Sequence, residues 1–147
     1  MKSIYVVGSV LLAALVSTTA LPVSAAEKPV ELTYSIFFPA THQNTILAQE
    51  WAKEVEKRTD GKVKITVFAG GTLTPADKCY DGVEKGISDI GMSVLGYTRG
   101  RFPLSEVLDL PLGYTSGVQA TDLVNAFYNK FEPKEFGNVK IMYLHAP

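Results

Sequence analysis

The sequence predicts an α/β fold, a largely parallel sheet flanked by helices on both faces. Two observations predict it. Apolar residues at period two alternate along the chain with stretches at helical period. One continuous segment, 62–97, also lays out strand, glycine turn, capped helix and second strand in the order of a βαβ unit.

Lys2 precedes an apolar run that includes Val6, Val7, Leu11, Leu12 and Leu15, and Ser24, Ala25 and Ala26 offer small residues for cleavage. This is the pattern of a secretory signal peptide over residues 1–25, with cleavage after Ala25 or Ala26. Gly8, Ser9, Ser17 and Pro22 dilute the run below the about 20 apolar residues that a membrane anchor requires, and no cysteine lies nearby to carry a lipid. The expected mature protein, 26–147, is soluble and spans no membrane. Of the 14 basic and 15 acidic side chains only Lys2 falls in the leader, so the mature chain is slightly acidic and unsuited to a nucleic-acid polyanion. Cys79 is the single cysteine. No internal disulfide can form, and its place on an apolar helix face marks a small buried hydrophobe.

In the mature chain Val30, Leu32, Tyr34, Ile36 and Phe38 alternate as a first strand, Phe37 breaks its polar face, and Pro39 ends it. A first helix is expected from about Thr41, with Leu47, Ala48, Trp51, Ala52 and Val55 on a core face and Glu50, Lys53, Glu54 and Lys57 opposite. Lys57, Arg58 and Gly61 close it. Val63, Ile65 and Val67 then alternate as a second strand that stops at Gly70-Gly71, where positive φ is needed. Thr74, Pro75 and Asp77 are the expected start signals of a second helix, with Thr74 as its N-cap and Ala76, Cys79, Tyr80, Val83 and Ile87 on its apolar face. After Gly86 a third strand is expected through Ile90, Met92 and Val94. Thr115 or Ser116 can cap a third helix carrying Ala120, Leu123, Val124, Phe127, Tyr128 and Phe131. Val139, Ile141 and Tyr143 alternate as a further strand.

In such sheets ligands sit beyond the carboxyl ends of the strands. That edge is formed by three loops, 38–43, 69–74 and 93–102. The first holds Phe38 and ends in Thr41, His42 and Gln43 at a helix start, whose unpaired N–H groups favour an anion. The second holds Gly70, Gly71 and Thr72, without the Gly-x-x-x-x-Gly-Lys pattern of a phosphate loop. The third holds Ser93, Tyr97, Arg99, Arg101 and Phe102. An arginine fork matches a carboxylate, while Tyr97 and Phe102 can stack on an organic ligand or anchor the loop. The expected ligand-binding set is Phe38, Thr41, His42, Gln43, Thr72, Ser93, Tyr97 and Arg101. Nothing points to an enzyme. His42 and His145 are the only histidines, and no His-x-x-x-His, paired-cysteine or Gly-x-Ser-x-Gly pattern occurs. No catalytic residue, metal or cofactor is expected.

Several segments taken together resemble the periplasmic solute-binding subunits of tripartite ATP-independent periplasmic (TRAP) transporters, the DctP-like family. They are LTYSIFFPATHQ at 32–43, WAKEVEKRTDGKVKI at 51–65, GGTL at 70–73, GISDIGM at 86–92 and GRFPL at 100–104, in order behind an exported start. The resemblance implies a periplasmic-binding-protein-like (type II) fold of two lobes. Such a protein closes by hinge motion on a small organic acid and delivers it to a membrane permease in the cell envelope. It also implies that 26–147 is the N-terminal lobe, cut near the crossover to a missing second lobe. The arginine that fixes the ligand carboxylate in the family belongs to that second lobe, so Arg101 does not take its place. One lobe alone should bind weakly. A ligand-sensing periplasmic domain or, further off, an exported α/β enzyme are the alternative readings. Dicarboxylates, sugar acids, keto acids and aromatic acids all stay open as ligands.

Overall fold

A computed structural model describes residues 28–145. The expected signal peptide lies outside the described residues. Three strands form one parallel sheet in the order β2-β1-β3: β1 is Val30–Ile36, β2 is Val63–Phe68 and β3 is Ile90–Met92. Val30 pairs with Val63 and Ser35 with Phe68 on one side, while Tyr34 pairs with Ile90 and Ile36 with Met92 on the other. Helix α1, Gln43–Arg58, connects β1 to β2. A 3-10 turn, Ala76–Lys78, runs into helix α2, Cys79–Glu84, which connects β2 to β3.

The alternation along β1 sends its even residues to α1 and its odd residues to α2. Tyr34 meets Trp51 edge-on at 6.2 Å, and Ala48 and Ala52, both buried, let α1 approach the sheet. Trp51 was expected in the core but stays 38% exposed, because it covers the rim of Tyr34 rather than entering between helix and sheet. On the other face, Ser35 and Thr74 share a hydrogen bond of 2.6 Å, and the Thr74 hydroxyl donates to Cys79 Sγ at 3.3 Å. Cys79 is fully buried, as its helical position predicts. Thr74, however, does not cap the second helix, which begins without any side-chain cap bond. A cap is worth about 1 kcal/mol, whereas leaving the buried Ser35 hydroxyl unpaired would cost about 1–3 kcal/mol. The buried pairing wins.

Three element ends also differ from expectation. β1 stops at Ile36 because the carbonyls of Ile36 and Phe38 accept the N–H groups of Gly71 and Gly70, at 3.2 and 2.8 Å, instead of continuing the ladder. α1 begins at Gln43 and not at Thr41, since the His42 N–H closes a turn onto Pro39 O and its ring Nδ1 caps the Asn44 N–H at 3.2 Å. β3 ends at Met92, short of Val94, where a 3-10 turn over Leu95–Thr98 starts with Tyr97 N–H donating to Val94 O.

The entry to β3 is pinned by Asp89. Its carboxylate accepts the Thr33 N–H at 2.7 Å and the Thr33 hydroxyl at 2.8 Å, and its own N–H donates to that hydroxyl at 3.1 Å. The Thr33 backbone bond, seconded by the hydroxyl, holds the Asp89 carboxyl below its ordinary value of 3.8. A folded-state value depressed below the unfolded one contributes stability that is fully present above the unfolded value and is lost as pH falls through the folded one. Asp89→Asn is therefore expected to lower stability at pH 7 by about 1 kcal/mol, a modest figure because the pair is exposed. In urea titrations the deficit should shrink toward wild type below about pH 4. A deficit that persists unchanged into acid would rule out the charged bracket.

Beyond β3 the chain builds a second, aromatic core. Tyr80, Phe102 and Phe136 are buried together, with Leu95, Tyr128, Val139 and Ile141 packed around them. Glu135 ties this core to the loop above it by accepting the N–H groups of Leu104 and Ser105 at 3.1 and 2.9 Å. Helix α3, Gly117–Phe131, is capped by Ser116, whose hydroxyl accepts the Gln119 N–H, while Gln119 Oε1 accepts from both the N–H and hydroxyl of Thr115. Of the two expected candidates, Ser116 is therefore the cap. Ala120 and Val124 of its apolar face are buried, but Leu123 and Phe131 are exposed, contrary to expectation. The strand expected through Val139, Ile141 and Tyr143 does not form. Val139 and Ile141 instead pack on the aromatic core, and Asn125 Nδ2 takes the Leu144 carbonyl at 2.7 Å, a group a ladder would need.

Candidate ligand site

β1 is central, and the chain leaves it toward β2 on one side but returns to β3 on the other, so the connections diverge at its carboxyl end. That divergence marks a topological switch point, the place where open α/β sheets bind ligands. The loops after β1 and β3 meet there.

Aromatic rings join those loops. Phe37 and Phe38 lie with centroids 4.2 Å apart, His42 stacks on Phe38 at 4.0 Å and 8°, and Tyr97 meets Phe37 edge-on at 5.6 Å. Tyr97 is 54% exposed. Because His42 Nδ1 accepts the Asn44 N–H, the proton of its neutral ring sits on Nε2, a donor pointing away from the helix cap. Thr41 and Gln43 flank it, exposed at the start of α1. Ser93 follows β3 directly, and its hydroxyl is buried without a hydrogen-bond partner.

The glycine turn has a different task. Gly70 and Gly71 take φ of +69° and +71°, as predicted, but their N–H groups are spent on the carbonyls of Phe38 and Ile36. The turn therefore clamps the loop after β2 onto the loop after β1, and Thr72 closes it by donating its hydroxyl to Ala69 O at 3.0 Å. Thr72 itself is exposed.

Arg101 is held by α2. Its guanidinium lies 3.1 Å from Asp81 and 2.6 Å from Glu84, with its carbon 4.6 Å from the Tyr80 ring centre. The Asn138 side chain, together with Arg101, keeps the Glu84 carboxyl below its ordinary range. The fork that the sequence offers to a carboxylate is thus occupied by two carboxylates of this chain. Arg99 lies exposed beside it, on a groove of about 350 Å³ that Tyr97, Lys78 and Asp77 also line. Phe102 is fully buried and anchors the loop instead of stacking on a ligand. Sequence reasoning did not assign Phe37 to the rim, although its break in the polar alternation was the signal. The partners Asp81, Glu84 and Asn138 left no signal, since they come from segments 54 residues apart.

A profile of the bacterial extracellular solute-binding proteins, family 7 (DctP), matches residues 34–140. The chain belongs to this family. It is 42% identical to a TRAP periplasmic solute-binding protein from Desulfovibrio salexigens, with a TM-score of 0.71 over 76% of this chain and 35% of that one. The structure of that relative is open and carries the C-terminus of a symmetry mate in its ligand-binding site. A TRAP solute-binding protein from Rhodoferax ferrireducens, solved with copurified benzoate, shares the fold at a TM-score of 0.73 and 24% identity over 79% of this chain and 37% of that one. Among curated proteins, the outer membrane transporter protein TsaT of Comamonas testosteroni is 27% identical over 128 residues, which is 85% of this chain and 38% of TsaT. The chain thus spans less than two-fifths of the length of these relatives. The family consists of solute-binding proteins of transporters and not of enzymes. No helix among the described residues is long and apolar enough to cross a membrane.

Proposed function

We propose that this DctP-family chain forms the first lobe of a periplasmic solute-binding protein that captures a small organic carboxylate and delivers it to a TRAP permease. The observation that supports this reading is the meeting of the loops after β1 and β3 at the switch point, where Phe37 contacts Tyr97 and His42 stacks on Phe38 with its Nδ1 taken by the Asn44 N–H. Thr41, Gln43 and Thr72 add exposed polar groups around the same edge, and Phe38 and Tyr97 add apolar contact.

One wall leaves a ligand largely in water, where a hydrogen bond or charge pair contributes little. A second lobe, of the length by which the relatives exceed this chain, would bury the ligand on closure and supply its main counter-charge. Arg101 then acts as an internal brace for the Tyr97 loop and reaches a ligand only by exchanging its present partners. Export by the 1–25 leader places the protein in the periplasm. The drive for closure is contact made only in the shut state.

A thermal-shift screen of the full-length protein against carboxylic acids tests this. A ligand at a hundred times its Kd stabilises the folded state by about 2.7 kcal/mol, a readily measured rise in Tm. No rise with any carboxylate, alongside a rise with an uncharged or cationic solute, would overturn the assignment.

A further inference from the structure

We infer that His42 is a pH-sensitive cap: as a neutral ring it locks the 38–43 loop onto the start of α1, and as a cation it releases both. His42 is the N-cap of α1, and its backbone is engaged on both sides. Its N–H donates to Pro39 O at 2.9 Å, and its carbonyl accepts the Thr45 and Ile46 N–H groups at 2.9 and 3.0 Å. The side chain adds the bond that depends on pH. Nδ1 accepts the Asn44 N–H at 3.2 Å, which requires a lone pair on that nitrogen. The usual capping residues Ser, Thr and Asn keep their acceptor at any pH, whereas a protonated imidazole carries N–H on both nitrogens and offers none. The cation would also stand at the positive end of the α1 dipole, where its charge is disfavoured. No carboxylate is at hand to offset it. The first turn of α1 holds no acidic residue. The segments that meet at this loop, 36–49, 68–76 and 90–98, carry no charged side chain, and besides His42 their one titratable group is Tyr97. The charges that flank them are Glu50, Asp77, Asp89 and Arg99. An imidazolium that kept its place over the Phe38 ring would gain a cation–π attraction, but its Nδ1 proton would face the Asn44 N–H, donor against donor. The ring therefore turns out of its present pose. The loop moves with it, because the Phe38 carbonyl receives the Gly70 N–H at 2.8 Å and the Thr45 hydroxyl at 3.2 Å, tying the capped turn to the glycine turn and to α1.

Hydrogen exchange at the Thr45 and Ile46 amides of the full-length protein, followed by NMR and divided by the intrinsic exchange rate at each pH, reads the opening of this turn. An N-cap is worth a factor of about five in that opening, or about 1 kcal/mol. Between about pH 8 and about pH 5, the range over which a histidine changes charge, protection of these two amides is expected to fall about fivefold in wild type. In His42→Asn and His42→Ser, whose caps do not titrate, it should stay constant. His145, the other histidine, is present in all three proteins, so a fall that it causes would appear in the variants too. Constant protection in wild type, or an equal fall in either variant, would overturn the inference. So would a ring-nitrogen NMR spectrum at about pH 8 that places the proton on Nδ1 of His42, since that tautomer cannot accept the Asn44 N–H.

Discussion

Phe102→Ala is expected to destabilise the protein by about 3–5 kcal/mol, the range for truncating a fully enclosed phenylalanine. Phe102 has no exposed surface, meets Tyr80 edge-on at 4.8 Å and stacks on Phe136 at 5.2 Å. Its backbone carbonyl also receives the Glu106 N–H at 2.8 Å, so the side chain seats the turn that continues the loop. Removing the ring leaves a cavity among Tyr80, Phe136 and Leu95, whose own positions depend on distant parts of the chain and cannot all collapse inward. Urea denaturation followed by circular dichroism should show the loss as a lower midpoint at similar slope. Phe102→Leu should keep most of the stability. A midpoint for Phe102→Ala within error of wild type would mean that this second core unfolds apart from the sheet.

Gly91→Ala is expected to cost about 1–3 kcal/mol, far more than a surface methyl would. Gly91 lies in the middle of β3, opposite Ser35 of β1, and a Cβ placed on it would stand 2.7 Å from Val83 Cγ2 and 3.2 Å from the Cys79 carbonyl oxygen. One obstacle is backbone and the other belongs to a β-branched side chain on a helix, which has a single favoured rotamer. Neither yields cheaply, so α2 must lift from the sheet. Cys79 reports that movement, because its thiol is fully buried beneath α2. Gly91→Ala should therefore both lower the urea midpoint and speed labelling of Cys79 by a thiol reagent. Adding Val83→Ala should recover part of the loss, giving a coupling that independent sites would not show. Strict additivity of the two substitutions would sink the steric account.

These two positions also show what kinds of information a sequence carries. Gly91 stands inside a strand-like run, where glycine signals close backbone approach, but the approaching element is α2, which no local pattern names. Phe102 before Pro103 invited two readings, ring for a ligand or anchor for a loop. Only the meeting of segments around 80, 102 and 136 decided between them. The same holds for Arg101. Alone it is a cation in a loop with a free fork, and in the fold it is a brace between Asp81 and Glu84.

The sheet, by contrast, was legible almost residue by residue. Period-two alternation located β1 and β2, glycines at 70 and 71 took the positive φ expected of them, and helical spacing placed Cys79 inside. These are short-range consequences of backbone sterics and of the need to bury one face. Val139, Ile141 and Tyr143 carried the same alternation and made no strand. Alternation states only that one side of an extended segment is apolar, and an aromatic core satisfies that demand as well as a ladder does.

By itself, then, the sequence determined the α/β class, the strand-helix order, the carboxyl-edge loops and the membership of the DctP family, because each rests on local pattern or on motifs in fixed order. The tertiary structure decided which groups at that edge are spent and which are free. It spent the glycine-turn amides on the Phe38 and Ile36 carbonyls and the Arg101 fork on Asp81 and Glu84, left the Ser93 hydroxyl buried without a partner, and set Phe37 against Tyr97. The reason is that a polar group's availability depends on every neighbour within about 3 Å, and those neighbours come from segments that the chain brings together only on folding.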